Sequence, residues 1–126
     1  DAAAHVFVMT REQDYHDRYT QPDKLAVTGG VEVVWPVPFW HVDAGAALML
    51  LWLAALEEGL AAAVYGVPVE EDARVRELLG IPAELTIVTG VTIGHPAEDP
   101  DDRARMSSVF SQRRRAQDEV VRWNRW

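Results

Sequence analysis

The sequence predicts an α+β sandwich organised around one long buried central helix, Asp43 to Leu60. Three observations predict it. An apolar run without one polar side chain extends from Ala44 to Leu56, and strand-like runs stand on either side of it, at Ala4 to Met9 and at Leu85 to Ile93. With 126 residues, 48% of them hydrophobic, the chain has the size of a single domain with one core. A chain this long hides roughly two thirds of its unfolded surface, so the core needs no crosslink. There is no cysteine to make one, which fits a reducing cytoplasm. The formal net charge of −8 argues against nucleic-acid binding, which needs cations to replace the counterions around phosphates, so any basic site is local.

The elements follow in order. Asp1-Ala2-Ala3-Ala4 lacks the charged start and cleavage pattern of a signal peptide. Without an initial methionine and with a strand starting almost at once, the sequence is expected to be the later part of a longer chain. Ala4 to Met9 reads as a buried strand leading into a polar helical turn at Thr10 to Gln13. Thr20 to Gly30, with Pro22, Asp23, Gly29 and Gly30, reads as a loop. In Trp35-Pro36-Val37-Pro38-Phe39-Trp40 the prolines exclude a regular helix and the aromatics supply large apolar faces, which suit a packed loop or one wall of a pocket.

Asp43 is placed to cap the central helix, because its carboxylate can accept from the unpaired amides of the first turn. The apolar run is short of the ~20 residues that cross a bilayer and Glu57-Glu58 closes it, so burial in a core is expected and no membrane partner. Ala44, Gly45, Ala46, Ala47, Ala54 and Ala55 would let a second helix, from this chain or another copy, approach closely. Gly66 and Pro68 end the segment that follows. Glu70, Glu71 and Asp72 open a further helix whose apolar stripe is Val75, Leu78 and Leu79, and Gly80 and Pro82 close it. Leu85 to Ile93 is β-branched and nearly alternating, as a central strand is, and Gly94-His95-Pro96 breaks it. Glu98 to Asp102 is a hydrophilic loop.

The residue types that usually carry catalysis do not assemble. His5, His16, His41 and His95 form neither an i, i+4 pair of histidines nor an H-x-H pair, so no metal is expected. Ser107, Ser108 and Ser111 lack the strained turn that exposes a nucleophilic serine, and the acidic residues after Glu98 lack the spacing of a calcium loop. Arg113-Arg114-Arg115 is the one concentrated cation cluster. Its guanidinium forks suit phosphate oxygens, although charge alone favours a solvated arm. At Val64-Tyr65-Gly66 the backbone can approach a ligand, although most such turns only change direction.

Taken in order, PFWHVDAGAALMLLWLAALEEGLAAAVYG, VRELLGIP, TIVTGVTIGHPAE and RRRAQDEVVRWNRW resemble the flavin-dependent nitroreductase family. The resemblance covers nearly all of this chain but only the later part of the family fold. It implies one nitroreductase-like domain over residues 1–126, a homodimer built on the central helix, and FMN held between subunits. It also implies NAD(P)H as hydride donor and a nitroaromatic, quinone or similar small aromatic acceptor. The cofactor carries the redox chemistry in such enzymes, which accounts for the want of catalytic side chains. Val64, Tyr65 and Gly66 match the segment beside the reactive edge of the flavin ring. Arg114 matches the phosphate-contacting arginine, with Arg113 and Arg115 as alternatives in register. Trp35, Phe39 and Trp40 would wall the substrate side, although packing explains three aromatics about as well. The family's early arginine- and serine-containing phosphate motif has no counterpart here, which leaves a second expectation beside the fragment: a natural short form that keeps the family core as a non-catalytic homodimer, flavin-binding or scaffolding.

Overall fold

A computed structural model describes residues 2–98 and 115–124. The chain divides into two compact units, Asp1–His95 and Pro96–Trp126.

In the first unit three antiparallel strands form one sheet in the order β1-β3-β2, where β1 is Ala4–Thr10, β2 is Ala61–Tyr65 and β3 is Thr86–Gly94. The expected central strand is central. Val91 pairs with Val6 on one side and Val64 on the other, so all three share one face, and Val91 is 0% exposed. Burying a side chain of that size contributes ~1.5–3 kcal/mol. The β1 register slips between Val8 and Met9, whose partners are Thr89 and Ile87, leaving Val88 as an extra residue that bulges β3.

Helices α1, Glu12–Tyr19, and α2, Pro22–Val27, follow β1. The stretch expected to be a loop therefore holds a helix. Pro22 stands at the first helical position, where its fixed φ and missing N–H cost nothing. Arg18 joins the two helices through two hydrogen bonds of 2.9 Å to Asp23, and this holds the Asp23 carboxyl below its ordinary range.

Helix α3 spans Phe39–Glu57, four residues earlier at its start than Asp43 suggests. Proline excludes a helix interior but not the residue just before one, so Pro38 is the N-cap and Phe39 opens the first turn. Asp43 lies inside the helix, where its carboxylate accepts a hydrogen bond from the Tyr15 hydroxyl. At 19 residues α3 is long and apolar enough, by length and composition, to cross a membrane. It packs instead against all three strands.

The expectation that α3 is buried on every side is corrected. Only Ala44 and Ala55 are buried, and with the half-buried Leu48, Leu51 and Trp52 they make one i, i+4, i+7, i+8, i+11 stripe. The sheet is the surface that stripe meets. The small side chains of Ala44 and Ala55 thus sit on the covered side of the helix and not against a second helix. The remaining sides carry Val42, Met49, Leu50, Leu53 and Leu56, which are 50–70% exposed.

Gly59 ends α3 at φ 72°, a left-handed conformation, and the next amide, Leu60 N–H, donates to the Ala55 carbonyl at 2.9 Å. That turn delivers the chain into β2. Helix α4, Val69–Leu79, then leads back to β3, with Arg76 tied to Asp72 at 2.6 Å and to the Pro82 carbonyl at 3.0 Å. In the second unit the described residues hold one short helix, α5, Gln117–Val120.

Candidate functional site

Two sets of residues in the first unit merit description, an aromatic cluster around the start of α3 and the edge formed by the end of β2.

Tyr15 and Tyr19 are four apart on α1 and therefore share its face, where they stack with centroids 5.7 Å apart. Trp35, just before the two prolines, packs on this pair, at 4.7 Å from Tyr19 and 6.3 Å from Tyr15. Phe39 lies 4.7 Å from Trp35, and Trp40 lies 5.8 Å from Tyr15. The three aromatics expected to wall a substrate site are thus brought into one cluster, with Tyr15 and Tyr19 at its centre. Most pairs are edge-on or tilted, the arrangement that the ring quadrupoles favour. Lys24 Nζ sits 5.4 Å from the Tyr19 centroid, on the cluster's margin.

Two recesses flank Trp40. One, of about 260 Å³, is lined by Glu12, His16, Glu32, Val33, Val34, Trp35 and Trp40. His16 Nδ1 is 2.5 Å from Glu32 Oε1, and Nε2 is 3.6 Å from Glu12 Oε1. The Glu32 contact is the main reason that the imidazole titrates above its ordinary range, and Glu12 adds to it. The other recess, of about 270 Å³, lies between β1 and α3, where Val8 and Thr10 face Ala44 and Ala47 beside Tyr15 and Asp43. There the Asp43 hydrogen bond, helped by burial, pushes the Tyr15 phenol up to about 12.

Tyr65 is the last residue of β2, an edge strand, and its ring crosses Gly90 of β3 to reach β1. It meets Phe7 and His5 edge-on, at 6.2 and 6.1 Å, and its hydroxyl is 3.2 Å from His5 Nδ1. The Tyr65 carbonyl accepts from Thr89 Oγ1 at 2.8 Å, which fixes the backbone at this point. Val64 is partly exposed, and a Cβ built on Gly66 would have nothing within 4 Å. The structure therefore leaves room beside Val64-Tyr65-Gly66. Arg113 and Arg114 lie outside the described residues, and Arg115 is exposed in the second unit.

Sequence reasoning missed Tyr15, Tyr19, Glu12, His16 and Glu32. The i, i+4 spacings Tyr15/Tyr19 and Glu12/His16 were the signal for the first four. Nothing local points to Glu32, sixteen residues from its partner.

An antiparallel sheet covered by one long apolar helix, with an aromatic cluster where that helix starts, defines an α+β fold of sheet-and-helix type. The fold is that of the nitroreductases, and the nitroreductase family model matches residues 37–95, from the second proline of the aromatic segment to the end of β3. A provisionally assigned nitroreductase from Bacillus subtilis superposes with a TM-score of 0.64 at 18% identity, over 97% of this chain and 64% of its own. A provisionally assigned NAD(P)H:FMN oxidoreductase from Staphylococcus epidermidis gives 0.59 at 19% identity, over 97% and 62%. An oxidoreductase containing FMN gives 0.55 at 21%, over 97% and 71%. The chain thus spans less than two thirds of the length of the first two. No curated protein sequence matches it.

Proposed function

We propose that this chain forms part of an FMN-dependent oxidoreductase of nitroreductase type, which moves electrons from NAD(P)H to a small nitroaromatic, quinone or similar acceptor. The observation that supports this most directly is the course of the family match, which runs through α3 and β2 and includes Val64, Tyr65 and Gly66.

The residues of that edge suit a flavin ring. Because β2 has a strand neighbour on one side only among the described residues, alternate backbone N–H and C=O groups point away from the sheet, where a planar heterocycle with donors and acceptors along its rim can pair with them. Gly66 has no side chain to hold such a ring off, and the space beside it is open. Bound FMN would supply the redox chemistry, accepting hydride from the nicotinamide and releasing electrons to the acceptor. The chain's own part is to fix the β2 edge, through Thr89 and the Tyr65–Gly90 contact, and to offer the acceptor flat apolar surface at Trp35, Phe39 and Trp40.

A homodimer belongs to the same reading. The outer side of α3 carries Met49, Leu50, Leu53 and Leu56 in water, an exposed apolar surface of the kind that marks an interface.

The test is an absorption spectrum of the purified chain before and after addition of FMN. Flavin bands that co-purify or are retained after desalting, and that bleach on adding NADH or NADPH, support the proposal. No retained flavin in either preparation would sink the enzyme reading for this chain.

A further inference from the structure

The recess beside His16 has a chemistry that the redox reading does not use. Its lining is of two kinds. Trp35, Trp40, Val33 and Val34 make the apolar part of the lining, and Glu12 and Glu32 supply carboxylates with the His16 imidazole between them. Among the described residues no lysine or arginine lines it. Among the described residues no three carboxylate, imidazole or thiol groups converge closely enough to hold a metal ion.

The geometry at His16 is asymmetric. A carboxylate can only accept, so in the neutral imidazole the 2.5 Å contact places the proton on Nδ1, shared with Glu32. Nε2 is then an acceptor, facing a second acceptor, Glu12 Oε1, across 3.6 Å. Two acceptors turned toward one another leave a vacancy for a donor that carries positive charge. At low pH a second proton on the imidazole fills it. At higher pH an external N–H⁺ group can donate to both atoms, while the body of the same molecule lies against the indoles, whose faces attract cations and cover apolar carbon. A volume of about 260 Å³ accommodates a single-ring compound.

We propose that this recess is a binding site for small aromatic amines in their protonated form, with the ammonium seated between Glu12 and His16 Nε2 and the ring on Trp35 and Trp40. With His16 neutral, an anionic aromatic of the same shape is rejected, because both carboxylates would repel it. Ligand and proton compete for one place, so binding strengthens as pH rises through the titration of His16. The groups that face His16 are Glu12 from its own helix, Glu32 from the segment before the prolines and, from α3, the uncharged Trp40.

The experiment is calorimetric titration of the 126-residue chain with 2-phenylethylamine, 2-phenylethanol and phenylacetate, without flavin or nicotinamide, so that its outcome is independent of the redox reading. The amine is expected to bind about tenfold more tightly than the alcohol, the worth of one charge-assisted hydrogen bond, and phenylacetate not at all. The amine should also bind more tightly at about pH 8 than at about pH 6, on either side of the histidine range. Glu12 is exposed on the first turn of α1, so Glu12→Gln keeps the fold, and it should remove the preference for the amine while leaving the alcohol unchanged. Equal binding of all three compounds, an amine affinity untouched by Glu12→Gln, or no saturable binding of the amine would each overturn the proposal.

Discussion

The ring of Tyr65 occupies the place where a side chain at Gly90 would begin: a Cβ added there would stand 2.2 Å from Tyr65 Cζ. The two residues are directly opposed across β2 and β3, and Gly90 is opposed in turn by Phe7 of β1. A glycine in a central strand weakens it by roughly 0.5–1 kcal/mol against alanine, and here that cost lets an aromatic ring from one edge strand span the centre of the sheet and touch the other edge. Gly90→Ala should therefore lose more from displacing the ring than it gains in strand preference. A net destabilisation of about 1–2 kcal/mol is expected in urea unfolding. In Tyr65→Ala the same substitution should be neutral or stabilising. Additive effects in that double-mutant cycle would show that the ring does not hold this position in solution.

Tyr15 and Asp43 join α1 to the second turn of α3 through one hydrogen bond. With its pKa raised to about 12, Tyr15 should ionise above the ordinary tyrosine range in an ultraviolet titration, and Asp43→Asn should bring it back toward that range. The folded-state pKa lies above the unfolded one, so this contribution to stability is complete below the ordinary phenol range and is lost as pH rises through 12. Tyr15→Phe removes the bond but keeps the stack, and at neutral pH it should cost no more than about 1 kcal/mol.

The sheet was legible in the sequence wherever the pattern was local and strong. Ala4 to Met9 and Leu85 to Ile93 are apolar, β-branched runs bounded by turn residues, and they are β1 and β3 to within a residue at each end. Helix α4 announced itself by acidic residues at its start and glycine at its stop. The errors came from proline and from context. Pro22 and Pro38 each precede or open a helix, where proline is well tolerated, yet a composition reading takes them as breakers. The burial of α3 was over-read because an unbroken apolar run says how much surface wants covering and not what covers it. Of the candidate site, Trp35, Phe39 and Trp40 were visible as a dense aromatic segment. Their partners Tyr15 and Tyr19 come from another element and needed the tertiary fold to be seen.

His16 offers a test of the electrostatics by itself. Glu32, and to a lesser degree Glu12, raise its pKa above 6.5, the ordinary value. Its contribution to stability is thus fully present below that value and is lost as pH rises through the higher folded-state pKa. Proton NMR of the imidazole should show a midpoint above the ordinary histidine value in the native chain and one displaced downward in Glu32→Gln, with a smaller displacement in Glu12→Gln. Equal midpoints in the native chain and Glu32→Gln would mean that the short contact does not persist in water, since both groups are well exposed.

The outer side of α3 decides whether the homodimer proposal stands. Leu50 and Leu53 project away from the stripe that meets the sheet, with 70% and 56% of their surfaces exposed, and neither belongs to the aromatic cluster or the β2 edge. An aspartate at either position costs the isolated chain little, because the side chain is already in water. In a dimer whose two helices meet on this side it would bury an unpaired charge, a penalty of several kcal/mol that is enough to dissociate a micromolar complex. Leu50→Asp and Leu53→Asp should therefore halve the mass found by sedimentation while leaving the circular dichroism spectrum unchanged. Ala54, the exposed residue after Leu53, provides the steric counterpart, since Ala54→Trp should weaken the same association without introducing charge. A dimer of unchanged mass in all three variants would mean that the subunits meet elsewhere. A native chain that sediments as a monomer would remove the dimer altogether, and the exposed leucines would then need another cover.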